Sequence, residues 1–321
     1  MDPNISKALK IVVFIFMIVI ADKVLGMILQ NFYFKQKSGE NHSLNYVFSE
    51  CNADVLIFGN SRAQHHYDSR IISNGLKMSC YNAGQDGGHS ILLSFAQIKI
   101  VLERYSPKII ILEFSLSGIG YYSGLYDRLS ILLPYYRKYP ELRPLIQLKS
   151  PFESTKLLSW IYPFNSNLIN IIRFNTNYHK ERKQDYDGYV PLKGRCTIDM
   201  LKSMHQGVAP SIVDNNLVNA LENIIYLCKA KGVMLFIVNS PWFTSINERK
   251  IPLSTTEKMT LQIINRNQVN HMNFSSDSTF IGHFELFDDL AHLNDDGAKK
   301  FSNMLVDSLK SRKTIFQKVE K

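Results

Sequence analysis

The sequence predicts an α/β protein with a parallel sheet of about five strands and helices on both faces. Short apolar runs, typical of buried strands, alternate with stretches in which apolar residues recur every three or four positions, as on one face of a helix. No repeat of solenoid length is visible. A strand–helix–strand order repeated along a chain favours a parallel sheet covered by helices.

The individual elements follow from this alternation. The predicted strands are apolar runs that end in small or polar residues, and they cover 53–59, 77–84, 108–114, 233–240 and, as a weaker edge strand, 269–276. The predicted helices are amphipathic, and they cover 90–105, 215–232, 255–268 and 294–312. Gly232 is expected to close the second helix as its C-cap, and Asn294 is expected to be the N-cap of the last.

A long insertion after the third strand, at about 115–214, departs from the alternation. It is rich in Tyr, Phe, Pro, Leu and Trp. Insertions of this length that carry many aromatic residues often form a lid or a cap facing a substrate or partner. A helical subdomain that packs only for stability is an equally good interpretation, and the sequence leaves both open.

The first thirty residues contain the longest apolar run of the chain. Residues 11–21 read IVVFIFMIVIA, they follow Lys7 and Lys10, and a second apolar run covers 24–29. The whole stretch of 8–29 is long enough to cross a bilayer as one helix of about 20 residues. The sequence therefore predicts an N-terminal transmembrane helix.

The fate of this segment has two interpretations. A run of eleven apolar residues also suits a signal peptide, which would be cleaved after Ala21. An uncleaved anchor, which we favour, holds Asp22 and Lys23 near the outer interface. In that case residues 1–37 are anchor and linker, and residues 38–321 form the α/β domain. We expect a single-pass protein of the inner (cytoplasmic) membrane with its domain on the periplasmic or extracellular side.

Charge and cysteine usage exclude several classes of function. The net charge of +9 is spread along the chain, without the aromatic-basic pattern of an RNA-binding sheet or the spacing of a zinc finger. We therefore expect no nucleic acid partner. The four cysteines show neither C-x-x-C nor histidine-interleaved metal spacing, so no metal site is expected. We expect no other cofactor. They are Cys51, Cys80, Cys196 and Cys228.

Two short motifs carry the candidate chemistry. The first strand ends in the turn Gly59-Asn60-Ser61, which is either a strand cap or the place of a nucleophilic serine, since open α/β sheets bind ligands at the carboxyl ends of their strands. A nucleophilic serine needs a base within reach and an acid that orients the base. Asp289 and His292 lie three residues apart in the polar loop 287–297. One turn of that loop can present both side chains together.

These motifs, in this order, resemble those of the SGNH (GDSL-like) hydrolase superfamily over most of residues 53–312. The Gly-Asn-Ser turn matches its first block, YNAGQDGG (81–88) matches its second, and the Asp-x-x-His pair matches its last. The resemblance implies a flavodoxin-like sheet, the SGNH hydrolase fold. It also implies a catalytic triad of Ser61, Asp289 and His292.

The third block of that family is missing. It usually contributes an asparagine whose side chain donates to the oxyanion, whereas this chain has LEFSLSG at 112–118, with Glu113 and no asparagine. A carboxylate cannot donate a hydrogen bond unless it is protonated. Glu113 could instead pair with Arg62 and hold the turn.

The resemblance also implies the members of the oxyanion hole. The backbone N–H groups of Ser61 and Gly84 would bind the negative oxygen. In place of the missing asparagine, the side chain of Asn82 or Gln85 is a further candidate donor.

Three features narrow the resemblance to one subgroup of the superfamily: the anchor, the Gly-Asn-Ser-Arg form of the first block and the missing asparagine. The chain is similar to membrane-anchored SGNH-like proteins related to the teichoic-acid D-alanyl transfer protein (DltD) and to alginate-acetylation proteins. Those proteins work beside a membrane-bound O-acyltransferase and move or remove small acyl groups on cell-envelope polymers.

The subgroup resemblance implies a function and partners. The expected function is that of a membrane-anchored serine esterase or O-acyltransferase, acting through an acyl-serine on small acyl groups, above all acetyl, of a cell-envelope polysaccharide or related glycan. Expected partners are the acylated polymer, a membrane-bound O-acyltransferase and membrane lipid through the N-terminal helix. The alternative is a non-catalytic, SGNH-shaped partner or scaffold for the acyltransferase, which the missing asparagine favours.

Overall fold

The computed structural model of the 321-residue chain describes residues 3–36, 38–176, 185–197, 199–200, 212–243 and 252–312. The chain forms two compact units. Unit 1 comprises Met1–Asn45 and Leu129–Arg182, and unit 2 comprises Tyr46–Arg128 and Lys183–Lys321. The first helix belongs to the same unit as part of the insertion.

Unit 2 contains a five-stranded sheet in which every pairing is parallel, in the order β2-β1-β3-β4-β5. The strands are β1 (Val55–Phe58), β2 (Cys80–Asn82), β3 (Ile109–Glu113), β4 (Met234–Asn239) and β5 (Asn270–Asn273). All five predicted strands are confirmed. The residues of β1 and β3 are all buried, as expected of central strands that are covered on both faces. The polar β5 lies at the edge of the sheet, as predicted.

The helices follow the chain from the N-terminus. They are α1 (Pro3–Phe34), α2 (Glu40–Ser49), α3 (Ser61–His66), α4 (Ser69–Leu76), α5 (Ile91–Arg104), α6 (Arg143–Gln147), α7 (Glu153–Lys156), α8 (Leu168–Asn175), α9 (Asn215–Ala230), α10 (Thr255–Arg266) and α11 (Asp295–Ser311). Within unit 2, α4 packs on α11 and α5 packs on α9. The predicted α/β class is confirmed.

The four predicted helices are present, and side-chain caps explain where all four begin. Ser90 caps α5 by accepting from Leu92 N. Asp214 accepts hydrogen bonds from the first turn of α9, and Ser254 forms a capping box at α10. Asn294 accepts from Gly297 N at 3.0 Å and caps α11 as predicted. At the end of α9 the C-cap is Lys231 rather than Gly232. The glycine comes one residue later, with a φ of +68° that glycine tolerates best.

The insertion between β3 and α9 is built from short helices where the structure describes it. Besides α6, α7 and α8 it contains 3₁₀ turns at Tyr126–Tyr135, Pro140–Leu142 and Tyr162–Asn167. In unit 1, Tyr33 near the end of α1 is fully buried, and its ring lies 5.9 Å from Tyr135 and 5.6 Å from Phe164. The end of α1 is therefore part of the core of unit 1.

The first helix has the length and composition of a membrane span. Its stretch Ser6–Phe34 is 29 residues long, and the mean hydropathy of its most apolar window is 2.6. Large apolar side chains along 9–20 are exposed. The predicted apolar N-terminal helix is present. The four cysteines are buried and none forms a disulfide.

Candidate active site

The turn after β1 has the small residues that its geometry requires. Gly59 has a φ of +149°, and a Cβ on it would come within 2.9 Å of the Cβ atoms of Ala63 and Glu113. Asn60 then caps α3 by accepting a hydrogen bond from Arg62 N at 3.0 Å. Ser61 is thereby the first residue of α3, at the carboxyl end of a central strand. This is the place where open α/β sheets bind ligands.

The structure brings the three residues of the predicted triad together. Ser61 Oγ lies 2.8 Å from His292 Nε2, although the two residues are 231 positions apart. On the other side of the ring, His292 Nδ1 lies 2.9 Å from Asp289 Oδ2 and 3.0 Å from Asp289 Oδ1. The carboxylate can only accept, so Nδ1 carries the proton and Nε2 is left to accept from the hydroxyl. This is the tautomer that a general base requires.

Asp289 is held as a carboxylate by its own loop. Oδ1 accepts from the backbone N–H groups of Ala291 at 2.7 Å and His292 at 2.8 Å. Partial burial alone would raise its pKa, but the hydrogen bonds from the His292 ring and from Ala291 outweigh burial and lower the pKa to about 2. Asp289 is therefore ionised at neutral pH.

A second histidine, His66, ties α3 to the loop that carries His292. Its Nε2 accepts from the backbone N–H of Leu293 at 3.0 Å, so its Nδ1 must donate to Ser240 Oγ at 2.8 Å. Burial, and next the charge of Arg62, hold the pKa of His66 well below its usual range. His66 is therefore neutral, and its ring lies 6.2 Å from the His292 ring, nearly perpendicular to it.

His65 supports the same ring from another side. Its Nδ1 donates to the carbonyl of Val190 at 2.7 Å, and its ring lies 5.8 Å from the His292 ring at an angle of 88°. The sequence alone indicates no role for His65, His66 or Ser240. The dipeptide His65-His66, four residues after Ser61, was the only signal, and the partners are more than a hundred residues away.

Glu113 pairs with Arg62 as suggested. Arg62 Nη2 lies 2.6 Å from Glu113 Oε1, and both side chains are buried. The other oxygen, Oε2, accepts from Tyr67 Oη and from Ser240 N, the latter at 3.0 Å. The carboxylate thus joins the turn after β1, the end of α3 and the end of β4. It acts as a structural clamp beneath Ser61.

The structure corrects one of the suggested oxyanion donors. Asn82 is fully buried, and its Nδ2 donates to the carbonyls of Ala63 at 2.7 Å and Tyr67 at 3.0 Å. Both of its amide hydrogens are used, so the Asn82 side chain cannot donate to a substrate. Its role is to hold β2 against α3.

The other oxyanion candidates stay predictions. The Ser61 N–H lies in the first turn of α3, where backbone donors have no intrahelical acceptor. The Gly84 N–H donates to Asn82 Oδ1 at 2.9 Å, so it would have to share its hydrogen with an oxyanion. A Cβ on Gly84 would come within 2.5 Å of Gln64 N, so close packing against α3 is sufficient to require glycine. The Gln85 side chain is buried.

In the described ranges, no group of three or more His, Cys, Asp and Glu side chains has the arrangement to hold a metal ion. The chemistry available to the site is that of a hydroxyl, an imidazole and a carboxylate in hydrogen-bonded sequence. Such a chain can move one proton from the hydroxyl to the ring while the carboxylate stabilises the resulting imidazolium.

No family model matches the sequence, and no curated protein matches it. Among solved structures, a protein of Desulfitobacterium hafniense DCB-2 assigned to the lipolytic G-D-S-L family is 6% identical, with a TM-score of 0.37 over 78% of this chain and 96% of that one. The acetyl xylan esterase AlAXEase is 10% identical, with a TM-score of 0.38 over 80% and 98%. Similarity this low assigns no function, which must be argued from the site.

Proposed function

We propose that the protein is a membrane-anchored serine enzyme that transfers small acyl groups through an acyl-Ser61 intermediate. The observation that carries the proposal is the hydrogen-bonded series Ser61–His292–Asp289, with 2.8 Å between Ser61 Oγ and His292 Nε2. A buried scaffold has no physical need for a hydroxyl, an imidazole and a carboxylate aligned in this order. The same order is what activates a serine for attack on an acyl carbonyl.

In the first half-reaction Ser61 Oγ forms a bond to the acyl carbonyl carbon as its proton passes to His292 Nε2. Asp289 stays ionised and stabilises the imidazolium that results. The tetrahedral intermediate collapses when the bond to the leaving alcohol breaks, and that alcohol takes the proton from His292. The acyl group is left on Ser61 as an ester.

In the second half-reaction the oxygen of an acceptor, either water or a glycan hydroxyl, attacks the carbonyl carbon of the acyl-serine. His292 takes the proton of the attacking group and returns it to Ser61 Oγ as the ester bond breaks. Water as the acceptor makes the protein an esterase, and a glycan hydroxyl makes it an O-acyltransferase. Both outcomes share the first half-reaction.

For the substrate we propose small acyl esters, above all acetyl, on a cell-envelope polysaccharide or related glycan, with a membrane-bound O-acyltransferase as the partner. The support is the sequence resemblance together with the apolar helix α1, whose length suits a single membrane span. The corresponding location is the inner (cytoplasmic) membrane, with unit 2 on the periplasmic or extracellular side.

The test is ester hydrolysis by the full chain in detergent. We expect slow turnover of p-nitrophenyl acetate by the wild type and none above background with Ser61→Ala, because the nucleophile provides a rate factor of many powers of ten. The control is Ser115→Ala, which removes the hydroxyl of a serine just after β3. This variant should keep the activity. Wild-type turnover by Ser61→Ala would disprove the serine mechanism.

A second candidate function is a non-catalytic, SGNH-shaped partner for the acyltransferase. Two observations favour it. Glu113 forms an ion pair with Arg62 and offers no donor to an oxyanion, and the Gly84 N–H already donates to Asn82 Oδ1. A protein of this kind would be inert towards p-nitrophenyl acetate and towards acetylated glycans, yet would still bind its partner. Activity that depends on Ser61 excludes it.

A further inference from the structure

The first helix is longer than a bilayer core. At about 1.5 Å per residue, the 29 residues of Ser6–Phe34 extend about 43 Å, whereas the hydrocarbon core is about 30 Å thick. A core that begins after Lys10 ends near Gln30, so Asp22 lies at membrane depth rather than outside it. A carboxylate at that depth must find its hydrogen bonds within the protein.

Unit 1 provides those hydrogen bonds. Asp22 accepts from Ser159 Oγ at 2.6 Å, from Trp160 N at 2.7 Å and from Ile161 N at 3.3 Å. One turn further along α1, a Cβ on Gly26 would collide with Trp160. The segment around Trp160 therefore lies directly against α1 at the depth of Asp22.

The second half of α1 has two different faces. Asp22, Gly26 and Tyr33 lie on the face that packs on the rest of unit 1. Leu25 and Ile28, three residues apart, lie on another face and are about half exposed. If the membrane ended at Asp22, this second apolar face would lie in water. Its exposure indicates that lipid continues along α1 beyond Asp22, beside unit 1.

Unit 1 itself exposes large apolar side chains near this part of α1. Leu158, next to the serine that binds Asp22, is 76% exposed. On α8, which packs on α1, Ile169 is 79% and Ile172 is 67% exposed, while Ile171 between them is buried. We define these three exposed residues, Leu158, Ile169 and Ile172, as the apolar rim of unit 1.

The charge of unit 1 suits a membrane surface. Its stretch 129–176 contains six Lys and Arg residues against two Glu residues. One of the two, Glu153, is buried and lies 3.3 Å from Lys156 Nζ. Lysine and arginine next to apolar residues are the pattern that binds anionic headgroups while apolar side chains enter the acyl boundary.

We propose that unit 1 is seated in the outer leaflet of the membrane crossed by α1, with the apolar rim in contact with acyl chains. The proposal rests on the anchoring part of the proposed function and is independent of catalysis. The insertion then provides a second membrane contact that fixes the depth of α1. We expect phospholipid to cover the rim, because the rim residues lie beside the second half of α1, where the membrane-spanning helix continues.

The test measures lipid contact at single labelled positions of the full chain. Leu158→Cys, Ile169→Cys and Ile172→Cys are labelled with an environment-sensitive fluorophore and reconstituted in vesicles of phosphatidylcholine and phosphatidylglycerol that contain a nitroxide lipid. Val19→Cys on α1 reports the span. Tyr226→Cys on α9, at an equally exposed position of unit 2, is the matched control. The buried native cysteines make the unsubstituted chain the labelling background.

We expect the nitroxide lipid to quench the labels at the three rim positions and at position 19 several-fold more strongly than the label at position 226. The labelled variants should unfold at the same temperature as the wild type, measured by circular dichroism. Rim labels quenched no more than Tyr226, with Val19 strongly quenched, would overturn the proposal and leave the rim for a protein partner. An unquenched Val19 would overturn both the span and the proposal. Neither result depends on ester hydrolysis, so the catalytic proposal is tested separately.

Discussion

At the scale of single residues, Asp288 and Asp289 are neighbours with different partners. Asp289 binds the His292 ring, whereas Asp288 Oδ1 accepts from Gly194 N at 2.5 Å. An asparagine at 288 can still accept that hydrogen bond. An asparagine at 289 would present an amide to Nδ1 and favour the wrong tautomer of His292.

The two carboxylates therefore give a matched pair of variants. We expect Asp289→Asn to lower kcat for p-nitrophenyl acetate by several orders of magnitude with little change in KM, and Asp288→Asn to keep most of the activity. Asp295, whose carboxylate pairs with Lys299 at 2.7 Å, should also tolerate asparagine. Equal losses at 288 and 289 would mean that the loop serves folding, and the triad would have to be withdrawn.

Asp289 also predicts a response to acid. Its pKa is lowered to about 2, below the value of about 3.9 for an unfolded chain, so the unfolded state binds more protons between these values. Its contribution to the free energy of unfolding is complete above about pH 4 and disappears as pH falls through about 2. Denaturant unfolding of the wild type and Asp289→Asn from pH 5 to 2 should show a difference in stability that narrows with acidity. A constant difference would contradict the lowered pKa of Asp289 in the folded state.

At the scale of elements, the clamp between Glu113 and Arg62 holds the turn that presents Ser61. Glu113→Gln keeps the shape but leaves a buried guanidinium without its counter-charge, which should cost about 2–3 kcal/mol of stability. The loosened turn should also lower kcat by about tenfold, because misplaced reacting atoms are costly. Chemical denaturation and ester hydrolysis measure the two effects. The control is Glu103→Gln on α5, an exposed position where both quantities should stay near wild type.

The sequence was sufficient for those parts of the site that depend on local geometry. The apolar run of β1 and its small turn predict where Ser61 lies, and the three-residue spacing of Asp289 and His292 predicts that they meet. Each of these inferences needs only the path of one strand or one loop. The meeting of Ser61 with His292 was inferred from their order in a known family.

The missed contacts depend on packing between distant elements. His66 reaches Ser240 and Leu293, which are 174 and 227 positions away, and no pattern in the sequence encodes those distances. Asn82 was misassigned for the same reason, because only the packing of β2 on α3 shows that its amide is already used. The five strands were accessible through their apolar runs, whereas these side-chain partners were not.

At the scale of the whole molecule, the sequence leaves two possibilities for α1: an uncleaved anchor or a signal peptide that is removed. We expect the full chain to pellet with membranes, to resist carbonate extraction and to keep its native N-terminus, because α1 is long and apolar enough for a span and its end contributes Tyr33 to the core of unit 1. N-terminal sequencing of the mature protein checks this. Asp22 as the first residue would show a cleaved signal peptide instead.

The central claim is that Ser61, activated by His292, carries the acyl group. The most direct measurement is intact mass and peptide mapping of the full chain after acid quenching during turnover of p-nitrophenyl acetate. We expect one added acetyl group on Ser61 in the wild type, none in Ser61→Ala, and much slower formation in His292→Ala. An adduct on another residue, or the same adduct in Ser61→Ala, would contradict the mechanism.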